Sequence, residues 1–328
     1  MKYHKHLAII ALAACVIATS HAAEDFVVAT GDLKAGSTYA TMFNQLNEAC
    51  LTETRMVDSA KIGLPTTGSV QSAELLTTNQ VSAAFLQGDI LEFYRVTNPM
   101  KVSNIRTIVG LHPEELHWVA RADTKSEGGV LGLGASKVNF NTVSDLKGRI
   151  VGAAGGSAIT ARVFSQFAGL NLIVKEYANN TDLMKDLTAK VIDSVLIVAG
   201  SPNPLVAGLG ADFRLLSVTP DMQKTVAKIY SPIKLGYQKM GNPVDAVATQ
   251  AIFVTRMYRD PEMIAQVSSI RSCFLNKLGK IQDKRGTHAK WQAVNSTNHG
   301  AWDYYDLPAT VAAAPVAAPA PVVPAKKR

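Results

Sequence analysis

Residues 150–160 read Ile150-Val151-Gly152-Ala153-Ala154-Gly155-Gly156-Ser157-Ala158-Ile159-Thr160. The first five make an apolar run of strand length, the next four are small, and helical spacing continues to about Gln166. A strand that ends in small residues and opens directly into a helix is the unit from which layered α/β domains are built. Small residues let another molecule approach the main chain. The first turn of the helix offers N–H groups and a partial positive charge, which suit a carboxylate or a phosphate. The run lacks Gly-x-Gly-x-x-Gly spacing, so it does not indicate a dinucleotide site.

Two further stretches share this property: Gly36-Ser37-Thr38-Tyr39 before a helix to Cys50, and Thr66-Thr67-Gly68-Ser69 before a helix at Val70–Leu76. Each alone reads as an ordinary turn with a Ser or Thr cap. Three in one α/β chain predict a ligand site outside the carboxyl ends of the strands. Other strands are expected at Phe26–Thr30, Val81–Leu86, Ile105–Leu111, Leu116–Ala120, Leu172–Glu176 and Ser194–Ala199. Short helices are expected at Val143–Gly148 and Asp182–Thr188, a loop at Thr124–Asn141, and the longest helix from Pro261 to about Leu278. This alternation predicts mostly parallel strands.

The ends have a different composition. Lys2 and Lys5 precede the apolar run Leu7–Thr19, and Ser20-His21-Ala22 supplies a small-x-small exit, the pattern of a secretory signal over residues 1–22. Leu12-Ala13-Ala14-Cys15 offers a rival reading, a lipoprotein anchor through Cys15. From Pro308 the chain turns to Ala, Pro and Val, and five prolines rule out a helical tail. Of the formal charge of +7, five positive charges lie on Lys2, Lys5, Lys326, Lys327 and Arg328, which leaves about +2 on the body. That is too little for a nucleic-acid footprint. Cys50 and Cys273 form a disulfide or two buried thiols, and the sequence leaves both open. His112, His117, His288 and His299 lack metal-ligand spacing, and no Gly-x-Ser-x-Gly elbow or phosphate-loop lysine is present. Neither a cofactor, a metal nor a catalytic set is expected.

The chain resembles the TAXI-type solute-binding subunits of tripartite ATP-independent periplasmic transporters. The likeness runs from about Phe26 to Leu278, through Gly36-Ser37-Thr38-Tyr39, Gly68-Ser69 with Leu75-Leu76, and Phe85-Leu86-Gln87-Gly88-Asp89. It continues in Ile105-Arg106, Asp145-Leu146-Lys147-Gly148-Arg149-Ile150-Val151, Gly155-Gly156-Ser157 and Ala199-Gly200-Ser201-Pro202. The resemblance implies a two-lobed type II periplasmic-binding-protein fold. Lobe one would take residues 23–120 and 235–307, lobe two 121–234, and a disordered Ala/Pro tail 308–328. It also implies a monomeric periplasmic protein, not an enzyme, that passes a small organic acid, amino-acid-like or dicarboxylic, to integral membrane permease subunits. A sensory receptor, or an enzyme on a similar fold, stands as the alternative. The cleft would be lined by Gly36, Tyr39, Gly68, Ser69, Gln87 and Asp89 from one lobe, and by Ser157, Ala158, Thr160, Gly200 and Pro202 from the other. Ser37 and Ala158 stand where the family has glycine, and Ser72 where it commonly has asparagine. Asp89 serves equally as a helix cap or as a partner for a ligand amino group, and Arg162 as a solvated residue or a carboxylate partner. Trp291, Trp302, Tyr304 and Tyr305 are expected to pin a C-terminal extension onto the body.

Overall fold

The computed structural model describes residues 25–31, 37–123, 125–127 and 136–307. The signal-like segment with Cys15, Gly36, the glycines of 128–134 and the tail from Pro308 lie outside these residues. The chain begins with β1 (Phe26–Ala29), α1 (Thr38–Cys50), β2 (Met56–Asp58), α2 (Ser69–Thr77), β3 (Ala83–Gln87) and α3 (Gly88–Thr97). The long β4 (Ile105–Arg121) is followed by the antiparallel pair β5 (Lys125–Glu127) and β6 (Ser136–Val138), in a stretch expected to be loop. Next come β7 (Ile150–Ala154), α4 (Gly156–Ala168), β8 (Ile173–Tyr177), α5 (Asn180–Thr188), β9 (Ser194–Ala199) and α6 (Pro204–Ala207). The chain continues through β10 (Phe213–Leu215), α7 (Pro220–Val226), β11 (Tyr230–Leu235), a second long strand β12 (Val244–Arg256) and α8 (Pro261–Asp283). Asp260 caps α8 by accepting from the Glu262 N–H at 3.0 Å, with Pro261 in the first turn, where its missing N–H costs nothing.

The strand order is β2-β1-β3-β12-β4-β9-β7-β8. β1 runs parallel to β2 and β3, and β7 runs parallel to β8 and β9. Every contact of β4 and β12 with the neighbouring strands is antiparallel, so the mostly parallel sheet expected from the sequence becomes a mixed one. Parallel neighbours need a helical crossover between them. β4 and β12 instead pass from one half of the molecule to the other. Pro113 does not split β4 into the two expected strands. It has no N–H for the ladder, and the register slips beside it between Gln250 and Ile252, a bulge that absorbs the loss.

Two buried apolar clusters, one around Phe43, Phe85, Phe253 and Phe274 and one around Leu76, Leu86, Ile90 and Val254, belong to the first lobe. Two others, around Trp118, Phe164 and Tyr230 and around Val119, Leu187 and Leu235, belong to the second. The fold is therefore α/β and two-lobed. β4 leaves β12 for β9 at Glu115, and β12 leaves β11 at Thr249 and meets β3 from Ala251. The expected boundaries after Ala120 and before Leu235 fall inside the second lobe's cores, where both residues are buried.

Cys50 and Cys273 are bonded to each other with Cα atoms 6.0 Å apart, which ties α1 to α8. After α8 the chain returns across β4, with Trp291, Trp302 and Tyr305 buried. A Cβ on Gly110 would lie 2.0 Å from the Asn298 carbonyl oxygen and 2.5 Å from that of Asn295. Only glycine lets the returning segment lie this close. Gly110→Ala is expected to cost about 2 kcal/mol, as overpacking against main chain does, read as a lower midpoint in urea unfolding. An unchanged midpoint would mean that the segment shifts freely.

Candidate ligand site between the lobes

A cavity of about 500 Å³ opens between the lobes. The first lobe contributes the starts of α1 (Ser37, Thr38, Tyr39) and α2 (Thr67, Gly68, Ser69), with Gln87 from the end of β3 and Glu114 from β4. The second contributes the β7–α4 turn (Ala154, Gly155, Gly156, Ser157), residues 178–180 at the start of α5, and the end of β9 with Gly200 and Asn203. These are carboxyl ends of strands and amino ends of helices, the place where an open α/β sheet gathers ligands. No side chain caps α2 or α4, whose cap residues are Gly68 and Gly155. Their first-turn N–H groups are therefore not engaged by a cap side chain. Gly155 has φ +51° and ψ −128°, a conformation closed to residues that carry a Cβ.

Two serines hold the turns in the same way. The Ser69 hydroxyl accepts the Gln87 N–H at 3.1 Å, and the Ser157 hydroxyl accepts the Val198 N–H at 3.0 Å. Each latches a helix start to the end of a strand in its own lobe. Each hydroxyl still has its own proton to donate into the cavity. Ser157→Ala is expected to cost about 1–2 kcal/mol by leaving the Val198 N–H without an acceptor, measurable in urea; a loss near zero would mean that water replaces the hydroxyl.

Tyr39 packs edge-on against Phe85, with ring centroids 6.3 Å apart, and lies 5.9 Å from the His112 ring. Its hydroxyl is buried without a hydrogen-bond partner. Burial first, and then the neighbouring Glu114 carboxylate, push it well above the ordinary tyrosine range. The Glu114 carboxylate lies 3.6 Å from His112 Nε2. Glu115, the next residue, takes the opposite direction: it accepts the Ser201 N–H at 2.7 Å and pairs with Lys290 Nζ at 3.0 Å.

Of the residues expected at the cleft, Tyr39, Gly68, Ser69, Gln87, Ser157 and Gly200 line the cavity. Asp89, Ala158 and Thr160 do not; all three are fully buried. Asp89 opens α3 and accepts the Tyr230 hydroxyl at 3.1 Å, a contact from the first lobe to the second. Burial raises its carboxyl to about 6, against the opposing pull of Thr160, Tyr230 and Thr249. Pro202 is exposed beyond the rim and follows a cis peptide bond. Ser72 is buried and bonded to Thr66 at 3.1 Å, away from the cavity. Arg162 is on the solvated side of α4, paired with Glu176 at 2.9 Å. His117 sits between the Ile197 carbonyl at 3.0 Å and the Tyr237 hydroxyl at 2.7 Å, and burial holds it below the usual histidine range.

Sequence reasoning missed Glu114, Asn203 and residues 178–180. Glu114 fell in the gap left between the two short strands expected around Pro113. Two adjacent glutamates in an otherwise apolar stretch were the available signal.

No curated protein is similar enough to match this chain. Among solved structures it is similar to an arginine transport system periplasmic binding protein from Legionella pneumophila, at 12% identity and TM-score 0.42, over 78% of this chain and 94% of that one. It is also similar to the substrate binding protein of an amino acid ABC transporter, at 10% and 0.44, over 81% and 100%. A third is the arginine-bound truncated ArgBP from T. maritima, at 12% and 0.42, over 76% and 94%. At such identities and scores, what those proteins bind stays a property of those proteins. Residues 28–274, which include every described residue that lines the cavity, match the NMT1-like family, and the chain belongs to that family.

Proposed function

We propose that this protein captures a small organic acid, amino-acid-like or dicarboxylic, between its lobes. It would hold the acid in the periplasm for the membrane subunits of a tripartite ATP-independent transporter, whose TAXI-type binding subunits the sequence resembles. The observation that carries the reading is a cavity of about 500 Å³ to which both lobes contribute uncapped or serine-latched helix starts. Such groups favour negative charge, and a site divided between two lobes closes by rotation about its crossing strands, here β4 and β12. The serines of the site are engaged by main-chain N–H groups and not by a base. That arrangement suits capture and not chemistry.

Ala178 lines the cavity from an exposed position, so a large side chain there fills the site without disturbing a core. A bound acid at a hundredfold excess over Kd is expected to stabilise the protein by about 2.7 kcal/mol. Ala178→Trp is expected to abolish that gain and leave the unliganded melt unchanged. Full stabilisation retained in the variant would place the site elsewhere, and turnover of the acid would replace capture by catalysis.

A further inference from the structure

We propose that Glu114 is the ammonium-binding residue of this cavity, so that the captured acid is a zwitterion whose amino group lies between the Glu114 carboxylate and the Tyr39 hydroxyl. The inference rests on the interlobe cavity being the binding site, and it chooses between the amino-acid-like and dicarboxylic classes.

Glu114 lines the cavity but is only 8% exposed. A carboxylate so far removed from water is costly unless a cation or several donors face it. The basic group beside it, His112 Nε2, is at 3.6 Å, beyond hydrogen-bond reach. Among the described residues that line the cavity there is neither lysine nor arginine. Tyr39, which lines the same cavity, adds a second sign: its buried hydroxyl lies beside the Glu114 carboxylate and has no partner within hydrogen-bond distance. An ammonium group has three protons to give, and a carboxylate with a phenolic oxygen beside it can accept two of them.

The rest of the cavity has the opposite character. The starts of α1, α2 and α4 offer donors, and the Ser69 and Ser157 hydroxyls add two more. The floor carries negative charge and the rim carries donors. A ligand with a carboxylate at one end and a protonated amine at the other matches both. A dicarboxylate would bring its second charge against Glu114, and repulsion of that kind is how a site rejects a close analogue. Asp89, buried beneath the cavity, adds to the same acidic floor. A bare divalent cation is a poorer fit. Hard cations gather six or more oxygens, and among the described residues no three His, Cys, Asp or Glu side chains group to hold one.

The test is calorimetry with pairs of acids that differ only in the amino group: L-glutamate and glutarate, L-leucine and 4-methylpentanoate, L-arginine and 5-guanidinopentanoate. At least one amino acid is expected to bind, with its deamino partner weaker by about a hundredfold. Glu114→Gln is expected to weaken that amino acid at least thirtyfold, and Tyr39→Phe severalfold, while neither variant melts below wild type without ligand. A deamino acid bound as tightly as its amino partner would overturn the inference and leave the organic-acid reading standing. Unchanged affinity in Glu114→Gln would overturn it as well. If no member of any pair binds wild-type protein, the organic-acid reading itself falls and takes the inference with it.

Discussion

Alanine at both Cys50 and Cys273 is expected to lower stability by about 5 kcal/mol, the chain-entropy figure for a bridge that closes so long a loop. The two residues are 223 apart in sequence, and both are buried where α1 packs on α8. Without the bridge the unfolded chain gains the freedom of that whole loop, while the folded state loses only one sulfur contact on each helix. For a chain of this size the change corresponds to a fall in melting temperature of about 10 °C or more. Urea unfolding of wild type, of wild type with reductant, and of the double variant supplies the comparison. The last two should agree. A loss below about 1 kcal/mol would mean that the unfolded chain is already compact enough to keep these helices close.

Asp89→Asn is expected to be about 3 kcal/mol more stable than wild type near pH 7.5 and equal to it near pH 4. Burial raises the Asp89 carboxyl from 3.8 to about 6. Between those values the folded protein keeps a proton that the unfolded chain has released, so wild-type stability from this group falls as pH rises from about 4 to about 6. Above that window Asp89 is ionised in both states, and the folded protein bears the full cost of a buried charge. Asparagine removes the charge and keeps an acceptor for the Tyr230 hydroxyl. The difference between variant and wild type across the pH range isolates this group from all others. A variant less stable than wild type at pH 7.5 would show that the carboxylate is better solvated than its burial implies.

Much of the first lobe and the centre of the second can be read from local pattern. The strand–turn–helix units at Phe26, Ile150 and their neighbours announce themselves because small residues mark where each strand stops. Six of the expected cleft residues line the cavity for the same reason, since they sit at those stops. Asp89, Ala158 and Thr160 are one to three residues further along than Gln87 and Ser157, where the side chains turn inward, and sequence spacing alone does not resolve that rotation. β12 escaped notice altogether. Its first half pairs with β11 and its second with β3, and it is buried without a break from Ala246 to Thr255, so it shows no alternation to mark it as a strand. Pro113 reads as a break because the bulge that accommodates it, Leu111 and His112 opposite Ala251, is formed only in the pairing of β4 with the distant β12.

The place of β12 governs the order in which this polypeptide can be completed. β3 and the first half of β4 are separated by 17 residues along the chain, from Gln87 to Ile105, yet they do not pair; the strand between them begins only at Val244. Until it arrives, both present unsatisfied main-chain groups along an open edge, the kind of edge that recruits other chains. The second lobe is less exposed to this delay, because β9 pairs with β4 directly and β7 and β8 lie just before β9 in the chain. A chain interrupted before Val244 would therefore carry a nearly assembled second lobe and an adhesive, unfinished first one.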